Sequence, residues 1–269
     1  MKIDIHTHIN STDQEELKNF VGFCEKCETV ACICSAGPRC DHEYPDNSET
    51  LKAAKQYPGI LIPFAFVNLW DQIDAGIIDE FAEQGFKGLK CITPYYPYDH
   101  DLYMPVYERA EKLKLPILFH TGAFRPNKHD VIYRRPSLNN MHPLTLDRIA
   151  RSFPELKIVM AHLRTTFFRK EAAELVKLHP NLYADLAGSG SWMAIQPAEL
   201  ASLLGSCVAE VDPGFSGFKK LLLGSDAYVT APQIITDAQK YYEMLLKRIG
   251  VPQDISAGIM GKTSGAWFK

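Results

Sequence analysis

The chain has 269 residues, of which 46% are hydrophobic and 23% are charged, and its net charge is −3. This composition is typical of a globular protein with enough apolar material for one large core. The charge offers no basic surface for nucleic acid or an anionic membrane, and no apolar run approaches the roughly 20 residues of a membrane span. A predicted strand close to Met1 leaves no room for a signal peptide, so we expect a cytoplasmic protein.

Short apolar runs separated by amphipathic segments define the predicted secondary structure. The predicted strands cover residues 3–6, 30–34, 61–67, 86–92, 117–120, 158–162, 182–186 and 221–224. The predicted helices cover residues 14–27, 48–57, 73–84, 102–113, 144–153, 167–178 and 231–248. Alternation of strands with helices predicts a parallel sheet with crossover connections. Eight strands in a chain close to about 250 residues predict an α/β fold, a (β/α)8 TIM barrel, as a single domain over residues 1–269.

The turn after the first strand argues against an open doubly wound sheet. That fold would carry a glycine-rich phosphate turn there, whereas this chain has His6-Thr7-His8. Long connections follow strands, at residues 35–46, 93–101, 121–143 and 187–195. In a barrel such loops form the carboxyl-terminal face, where active sites are built. The longest, residues 121–143, is the best candidate for a lid or specificity loop.

The first predicted strand ends in a pattern that suits a metal ion. Side chains of an extended strand alternate faces, so Asp4, His6 and His8 are expected on one face. Ile3 and Ile5 are expected on the other. Two neutral imidazoles two residues apart can bind one divalent cation, although a lone His-x-His pair is a weak signal.

Three more polar residues stand at the ends of later predicted strands. His120 ends the fifth, His162 ends the sixth, and Asp226 lies just beyond the eighth. If the barrel closes, the last strand pairs with the first and brings Asp226 beside His6 and His8. Unrelated buried polar groups would each need a partner to offset desolvation, whereas one cation satisfies them together. The residues therefore predict a metal site at the barrel mouth.

Seven cysteines, an odd number, do not fit a disulfide framework and agree with a reducing compartment. The Cys24-x-x-Cys27 pair is typical of zinc and iron–sulfur sites. We favour packing roles, because this pair ends a predicted helix and Cys32 and Cys34 share one face of a predicted strand. Cys40 differs, because an aspartate and a histidine follow it, and it could face the same cleft as the histidines.

Six stretches along nearly the whole chain carry a resemblance to a known family. They are Met1-Lys2-Ile3-Asp4-Ile5-His6-Thr7-His8, Gly85-Phe86-Lys87-Gly88-Leu89-Lys90, residues 115–122, residues 153–162, residues 181–188, and Leu223-Gly224-Ser225-Asp226. On these stretches the chain resembles the amidohydrolase superfamily, in the branch that includes aminocarboxymuconate-semialdehyde decarboxylase, related aromatic-acid decarboxylases, lactonases and hydratases. One departure is Leu163-Arg164 after His162, where the family often has a glycine, and it bears on what the site recognises.

The resemblance implies that His6, His8, His120 and Asp226 bind one zinc ion, with His162 near the attacking or departing group. Zinc with an open position lowers the pKa of a bound water to about 7. Asp226 would take a proton from that water and His162 would steady the developing charge, which makes both candidate catalytic residues. Mn2+ or Fe2+ could replace zinc, because mixed nitrogen and oxygen ligands discriminate poorly among these metals.

Lys90 is a further candidate site residue, because some branches of the superfamily carry a carboxylated lysine on the fourth strand that bridges two metals. It shares a strand face with Phe86 and Gly88 and is predicted to point into the barrel, where a lysine needs a partner or a function. We favour a lysine that orients the substrate or supports the metal ligands from outside the coordination sphere. A binuclear site with carboxylated Lys90 is the alternative.

Arginine and aromatic residues are frequent in the predicted carboxyl-face loops. They are Arg39, Arg125, Arg134, Arg135, Arg164, Tyr95, Tyr96, Tyr98, Phe124, Tyr133 and Trp192. Guanidinium groups bind carboxylates and aromatic rings can wall a planar molecule, although each residue could instead be solvated or pack a loop. We name Lys90, Arg125, Arg164, Tyr96 and Trp192 as candidate substrate-binding residues and expect a small anionic substrate. Association into a homodimer is left open.

Three functions fit this pattern. The first is a metal-dependent hydrolase that opens a lactone or cyclic amide of a small carboxylate-bearing substrate through a metal-activated water. The second is nonoxidative decarboxylation of an aromatic or unsaturated acid at the same site, with Asp226 or His162 delivering a proton to carbon. The third is a noncatalytic barrel that binds a ligand, against which the intact metal residues argue.

Overall fold

Nine parallel strands form one sheet in the computed structural model, which describes residues 1–37, 44–70, 73–134, 137–163, 167–188, 191–205 and 214–268, without the side chains of residues 191 and 192. The strands of this part are β1 (Lys2–His8), β2 (Thr29–Cys34), β3 (Leu61–Phe66), β4 (Gly88–Cys91), β5 (Ile117–Phe119), β6 (Ile158–Met160), β7 (Leu182–Asp185), β8 (Leu221–Leu222) and β9 (Ala227–Tyr228). The helices are α1 (Gln14–Lys26), α2 (Asn47–Gln56), α3 (Ile77–Gln84), α4 (Met104–Lys112), α5 (Lys128–Tyr133), α6 (Thr145–Ser152), α7 (Arg169–Leu178), α8 (Pro197–Leu204), α9 (Gln233–Ile249), α10 (Gln253–Ala257) and α11 (Thr263–Gly265).

The strands close into the predicted TIM barrel. Strands β1 to β8 are neighbours in sequence order, with at least one helix in each crossover, and β9 pairs with the other edge of β1. Strand β9 continues the path of β8 after a break. Across that break the Ile5 N–H donates to the Leu223 carbonyl at 2.9 Å, and the Asp226 N–H donates to the His6 carbonyl at 2.8 Å. The first and last strands thus meet, and the prediction of an α/β barrel is confirmed.

A bulge in β1 changes which residues face the barrel interior. Ile3 pairs with Val30 and His8 pairs with Cys34, and these partners share one face of β2, so the register shifts between Asp4 and Thr7. Ile3 and Ile5 therefore pack in the interior on the same side as His8. Asp4 pairs with Ala31 of the outer layer. The prediction that Asp4 shares a face with His6 and His8 is wrong, because one extra residue in a bulge breaks strict alternation.

The helices follow local signals in most places. Helix α1 begins after Asp13, whose carboxylate accepts from the N–H groups of Glu15 and Glu16, and it buries an apolar face. Seven predicted helices are present with ends shifted by a few residues. Helices α5, α8, α10 and α11 were not predicted, and α5 lies inside the loop predicted over residues 121–143. A helix such as α5 that buries no residue carries no amphipathic signal.

Two apolar layers hold the barrel. The larger lies between the outer face of the sheet and the helices, and the smaller fills the interior with side chains such as Ile5, Leu118 and Val159. Of the cysteines, Cys24, Cys32 and Cys34 are buried free thiols, while Cys40 lies outside the described residues. Among the helices described, none combines the length and hydropathy needed to cross a bilayer.

A glycine on β4 makes room for a large side chain inside the barrel. A Cβ added to Gly88 would lie 2.5 Å from the ring of Phe64 on the neighbouring strand. We predict that Gly88→Ala lowers the free energy of unfolding by about 1–3 kcal/mol, because the added methyl group and the Phe64 ring can fit together in a packed interior only if one of them shifts. Chemical denaturation measures this change.

The matched control is Gly22→Ala on the exposed side of α1, where an added Cβ meets nothing within 4 Å. It should stabilise the protein by up to about 1 kcal/mol, because alanine has the higher helix propensity. Adding Phe64→Leu to Gly88→Ala should restore part of the loss. Equal stability of Gly88→Ala and wild type would contradict the close packing.

Candidate functional site

Three predicted metal ligands meet at the mouth of the barrel. His6 Nε2 lies 3.1 Å from His8 Nε2, and Asp226 Oδ1 lies 3.5 Å from the first nitrogen and 3.2 Å from the second. All three side chains are buried. The two histidines come from β1 and the aspartate from the break between β8 and β9, so closure of the barrel brings them together.

The Nδ1 atom of each imidazole lies within hydrogen-bond distance of a protein oxygen. His6 Nδ1 lies 2.9 Å from Asp185 Oδ2, and His8 Nδ1 lies 3.3 Å from the Cys34 carbonyl. Each ring can donate its Nδ1–H to that oxygen, which leaves the lone pair on Nε2. Two such lone pairs 3.1 Å apart repel each other unless a positive charge lies between them. These residues therefore fit a bound cation.

The electrostatics of the three groups point the same way. Burial acts to raise the pKa of Asp226, but the hydrogen bond from His8 and the charges of His6 and His8 hold it well below its usual range. Burial acts to lower the pKa of His8, but Cys34 and Asp226 together raise it to about 9. Burial lowers the pKa of His6, and the Lys90 charge adds to the effect. A single positive charge shared by these groups is favoured, as either a proton or a metal ion.

A second histidine pair stands beside this group. His162 Nδ1 donates to the Ala187 carbonyl at 2.9 Å, so its Nε2 can accept from His120 Nδ1 at 3.0 Å. Burial lowers the pKa of His162 to about 4 and that of His120 well below its usual range. The remaining nitrogen, His120 Nε2, is buried and has no hydrogen-bond partner among the described residues. An orphaned imidazole nitrogen of this kind suits a metal ion or a substrate atom.

Three of the four residues expected to bind zinc form one group, and the fourth, His120, lies outside it. Among the described residues, ligand atoms within 4.8 Å of one another occur in two groups, His6 with His8 and Asp226, and His6 with His162 and Asp185. His120 belongs to neither group and adjoins the second through His162.

Backbone geometry also marks the site. His162 has a φ of 65° and Asp226 a φ of 60°, in the left-handed region that is unfavourable for residues with a Cβ. Such strain persists only where surrounding contacts fix it, and it is concentrated at functional sites. Here the Asp226 N–H bonds to the His6 carbonyl, and the His162 N–H bonds to Asp185 Oδ1 at 2.8 Å.

Lys90 lies in the interior as predicted from the strand pattern. It is fully buried, and its Nζ is 3.1 Å from His6 Nε2, the nitrogen that also faces His8. Its strand neighbours in register are Phe66 and Leu118. The lysine charge therefore stands directly beside the candidate metal ligands.

The other candidate substrate-binding residues lie on loops or outside the described residues. Arg125 is exposed on the loop after β5, next to Phe124, whose ring is 5.8 Å from that of His120. The ring of Tyr96 stacks on His100 at 4.2 Å, which matches the packing role considered for it. Arg164 and the side chain of Trp192 lie outside the described residues, as do Arg39 and Arg135.

One central residue was missed from the sequence. Asp185, at the end of β7, accepts from His6 with one oxygen and from the N–H groups of His162 and Ala187 with the other. The bare backbone of Gly224 lies against it, where an added Cβ would come within 2.8 Å of the side chain. An acidic residue at the end of an apolar run was a usable signal, the same one that identified Asp226.

Comparison with solved structures shows likeness in fold. The chain is 14% identical to 5-carboxyvanillate decarboxylase from Sphingomonas paucimobilis, with a TM-score of 0.63 over 99% of this chain and 98% of that one. A proposed 2-pyrone-4,6-dicarboxylic acid hydrolase from Pseudomonas putida is 17% identical, with a TM-score of 0.63 over 99% and 97%. The 2,6-dihydroxybenzoate decarboxylase from Rhizobium is 16% identical, with a TM-score of 0.61 over 99% and 98%.

No curated protein matches the chain. The amidohydrolase family profile, however, matches residues 3–269. This match covers all of the strands except the first residue of β1, and it covers every residue of the site described here. The protein is therefore a member of the amidohydrolase family, as its six characteristic sequence stretches predicted.

Proposed function

We propose that the protein is a metal-dependent hydrolase that opens a lactone or cyclic amide ring of a small carboxylate-bearing substrate. The observation that carries this proposal is the convergence of His6 Nε2, His8 Nε2 and Asp226 Oδ1 within 3.1–3.5 Å of one another. Two imidazole nitrogens and a carboxylate oxygen at these separations support a divalent cation at this position.

The donor set supports Zn2+ as the first choice, because imidazole nitrogen and carboxylate oxygen are its usual ligands in catalytic sites, with Mn2+ or Fe2+ as alternatives. Such a cation, when bound, would act as a Lewis acid and lower the pKa of a water molecule to about 7. His6, His8 and Asp226 would hold it, and the orphaned His120 Nε2 supports a fourth ligand. A binuclear site with carboxylated Lys90 is the less favoured alternative.

Asp226 and His162 can take different roles in hydrolysis. The lowered pKa of Asp226 keeps its carboxylate ionised, so it can accept a proton from an attacking water molecule. The pKa of His162, about 4, keeps its imidazole neutral near pH 7, so it can hold a hydrogen bond without repelling the cation. Hydrolysis uses both residues in these protonation states.

The substrate class follows from the positive groups around the site. Lys90 supplies a buried charge beside His6, and Arg125 lies on the loop whose Phe124 reaches His120. A substrate carboxylate between them would offset the burial of the lysine charge. Arg164, Tyr96 and Trp192 complete the proposed set of substrate-binding residues.

The free thiols support a cytoplasmic location.

Nonoxidative decarboxylation is the second candidate, and the fold likeness to two decarboxylases favours it. It requires a proton to be delivered to carbon by Asp226 or His162. Hydrolysis instead requires a proton acceptor, and the Asp226 carboxylate, 3.5 Å from His6 Nε2 and 3.2 Å from His8 Nε2, can serve as one. We therefore place hydrolysis first.

Replacement of Asp226 tests the reaction. We predict that Asp226→Asn retains metal, because the amide keeps an oxygen ligand, while turnover falls about 10²–10⁴-fold for want of the proton acceptor. The assay offers lactones and aromatic acids in water enriched in 18O and follows the products by mass. Hydrolysis inserts solvent oxygen into the product, whereas release of carbon dioxide would contradict it in favour of decarboxylation. Asp237→Asn, an exposed carboxylate on α9, is the matched control and should keep wild-type turnover.

Replacement of His8 tests the cation. We expect saturating Zn2+ to raise the melting temperature of wild-type protein by about 5–10 °C, because a ligand that binds only the folded state stabilises it. His8→Ala should lose most of this increase, since it removes one of three converging ligands. His129→Ala on α5 serves as the histidine control and should respond like wild type. The metal site is wrong if zinc raises the melting temperature of His8→Ala as much as that of wild type.

Asp185 offers a test of how His6 is oriented. We predict that Asp185→Asn weakens zinc affinity about 10–100-fold, because the new amide can donate to His6 Nδ1 and move the ring proton to Nε2. Competition with a chromophoric chelator measures the affinity, and circular dichroism confirms folding. An affinity unchanged from wild type would mean that Asp185 does not set the tautomer.

A further inference from the structure

Asp4 is a fully buried carboxylate that the proposed reaction does not use. Its Oδ1 atom accepts two backbone hydrogen bonds, from the His6 N–H at 3.2 Å and from the Ser225 N–H at 3.0 Å. His6 is a candidate ligand, and Ser225 directly precedes another, Asp226. One oxygen thus joins the two segments that supply the ligands, although Asp4 and Ser225 are 221 positions apart in sequence.

Both N–H groups belong to irregular stretches of backbone. The His6 N–H lies where β1 shifts register between Asp4 and Thr7, and the Ser225 N–H lies in the break between β8 and β9. In a regular ladder such groups donate to the adjacent strand, and an unpaired one is costly to bury. The Asp4 carboxylate supplies the acceptor that the strand ladder lacks at both places.

Asp4 lies on the outer side of β1, opposite the barrel interior. It pairs in register with Ala31, which belongs to the outer apolar layer together with Leu17 of α1. The two hydrogen bonds that its Oδ1 accepts come from backbone N–H groups of the ligand segments, while the His6 and His8 side chains lie on the interior side of β1. Any influence on the site is therefore exerted through the backbone.

We propose that Asp4 is a positioning residue that fixes the bulge of β1 against the left-handed turn at Asp226, and so sets the spacing of His6, His8 and Asp226. This inference rests on the proposed function, because it assigns Asp4 a part in assembling the metal site. The direct hydrogen bond from the Asp226 N–H to the His6 carbonyl, at 2.8 Å, joins the same two segments. Asp4 supports this bond by accepting from the N–H groups of His6 and Ser225.

Substitutions at Asp4 separate positioning from packing. Asp4→Asn keeps the acceptor oxygen and should bind zinc with close to wild-type affinity in chelator competition. Asp4→Ala removes the acceptor and should weaken zinc binding about 10–100-fold. Leu17→Ala is the control, because it removes buried packing behind the same strand and should lower the melting temperature while leaving zinc affinity unchanged.

Several results would overturn the proposal. They are an unchanged affinity in Asp4→Ala, an Asp4→Asn affinity as weak as that of Asp4→Ala, or an equal weakening in Leu17→Ala. Should Asp4→Ala fail to fold, Asp4→Glu keeps the charge and displaces the oxygen by one methylene. Weaker zinc binding by Asp4→Glu is expected, and unchanged binding would overturn the proposal.

Amide hydrogen exchange without added metal keeps this inference distinct from the proposed function. The His6 and Ser225 amides should exchange faster in Asp4→Ala than in wild type and stay protected in Asp4→Asn. Unchanged exchange in Asp4→Ala would overturn the role of Asp4 whatever the metal does. If wild type binds no zinc while exchange follows the expected order, the proposed function fails and the bracing of the two segments stands.

Discussion

The pairing of β1 with the last segment of the sheet is the constraint on which the rest of the structure depends. Two backbone hydrogen bonds, Ile5 to Leu223 and Asp226 to His6, join the first strand to the segment between β8 and β9. Every strand between them must then curl into a barrel, and their carboxyl ends must meet at one mouth. The candidate metal ligands meet for this reason and not because they are near in sequence.

The closed mouth holds more buried polar groups than the fold alone requires. Removing imidazoles and carboxylates from water costs free energy that hydrogen bonds within the protein only partly offset. Asp185 contacts His6 Nδ1 and Asp4 accepts from the His6 N–H, but His6 Nε2 and His8 Nε2 still face each other 3.1 Å apart. The site therefore favours a positive charge at its centre, at a cost to the stability of the metal-free protein.

Much of the fold and part of the site were predictable from the sequence. Alternating strands and helices predicted the barrel, and the barrel brings residues at strand ends such as His120 and Asp226 to one face. The bulge that turns Asp4 outward was not predictable, because it depends on how β1 pairs with both neighbours. Asp185 shares the strand-end position of Asp226, but its contact with His6 depends on the arrangement of side chains inside the closed barrel. The stacking of Tyr96 depends on a loop conformation that residue types do not define.

Anomalous X-ray diffraction at the zinc edge, from crystals grown with one equivalent of Zn2+, tests the central claim most directly. We expect one anomalous peak within about 2.0–2.3 Å of His6 Nε2, His8 Nε2 and an Asp226 carboxylate oxygen. A peak at the cysteines near β2, or no peak at the barrel mouth while these three side chains keep their present spacing, would contradict the metal site.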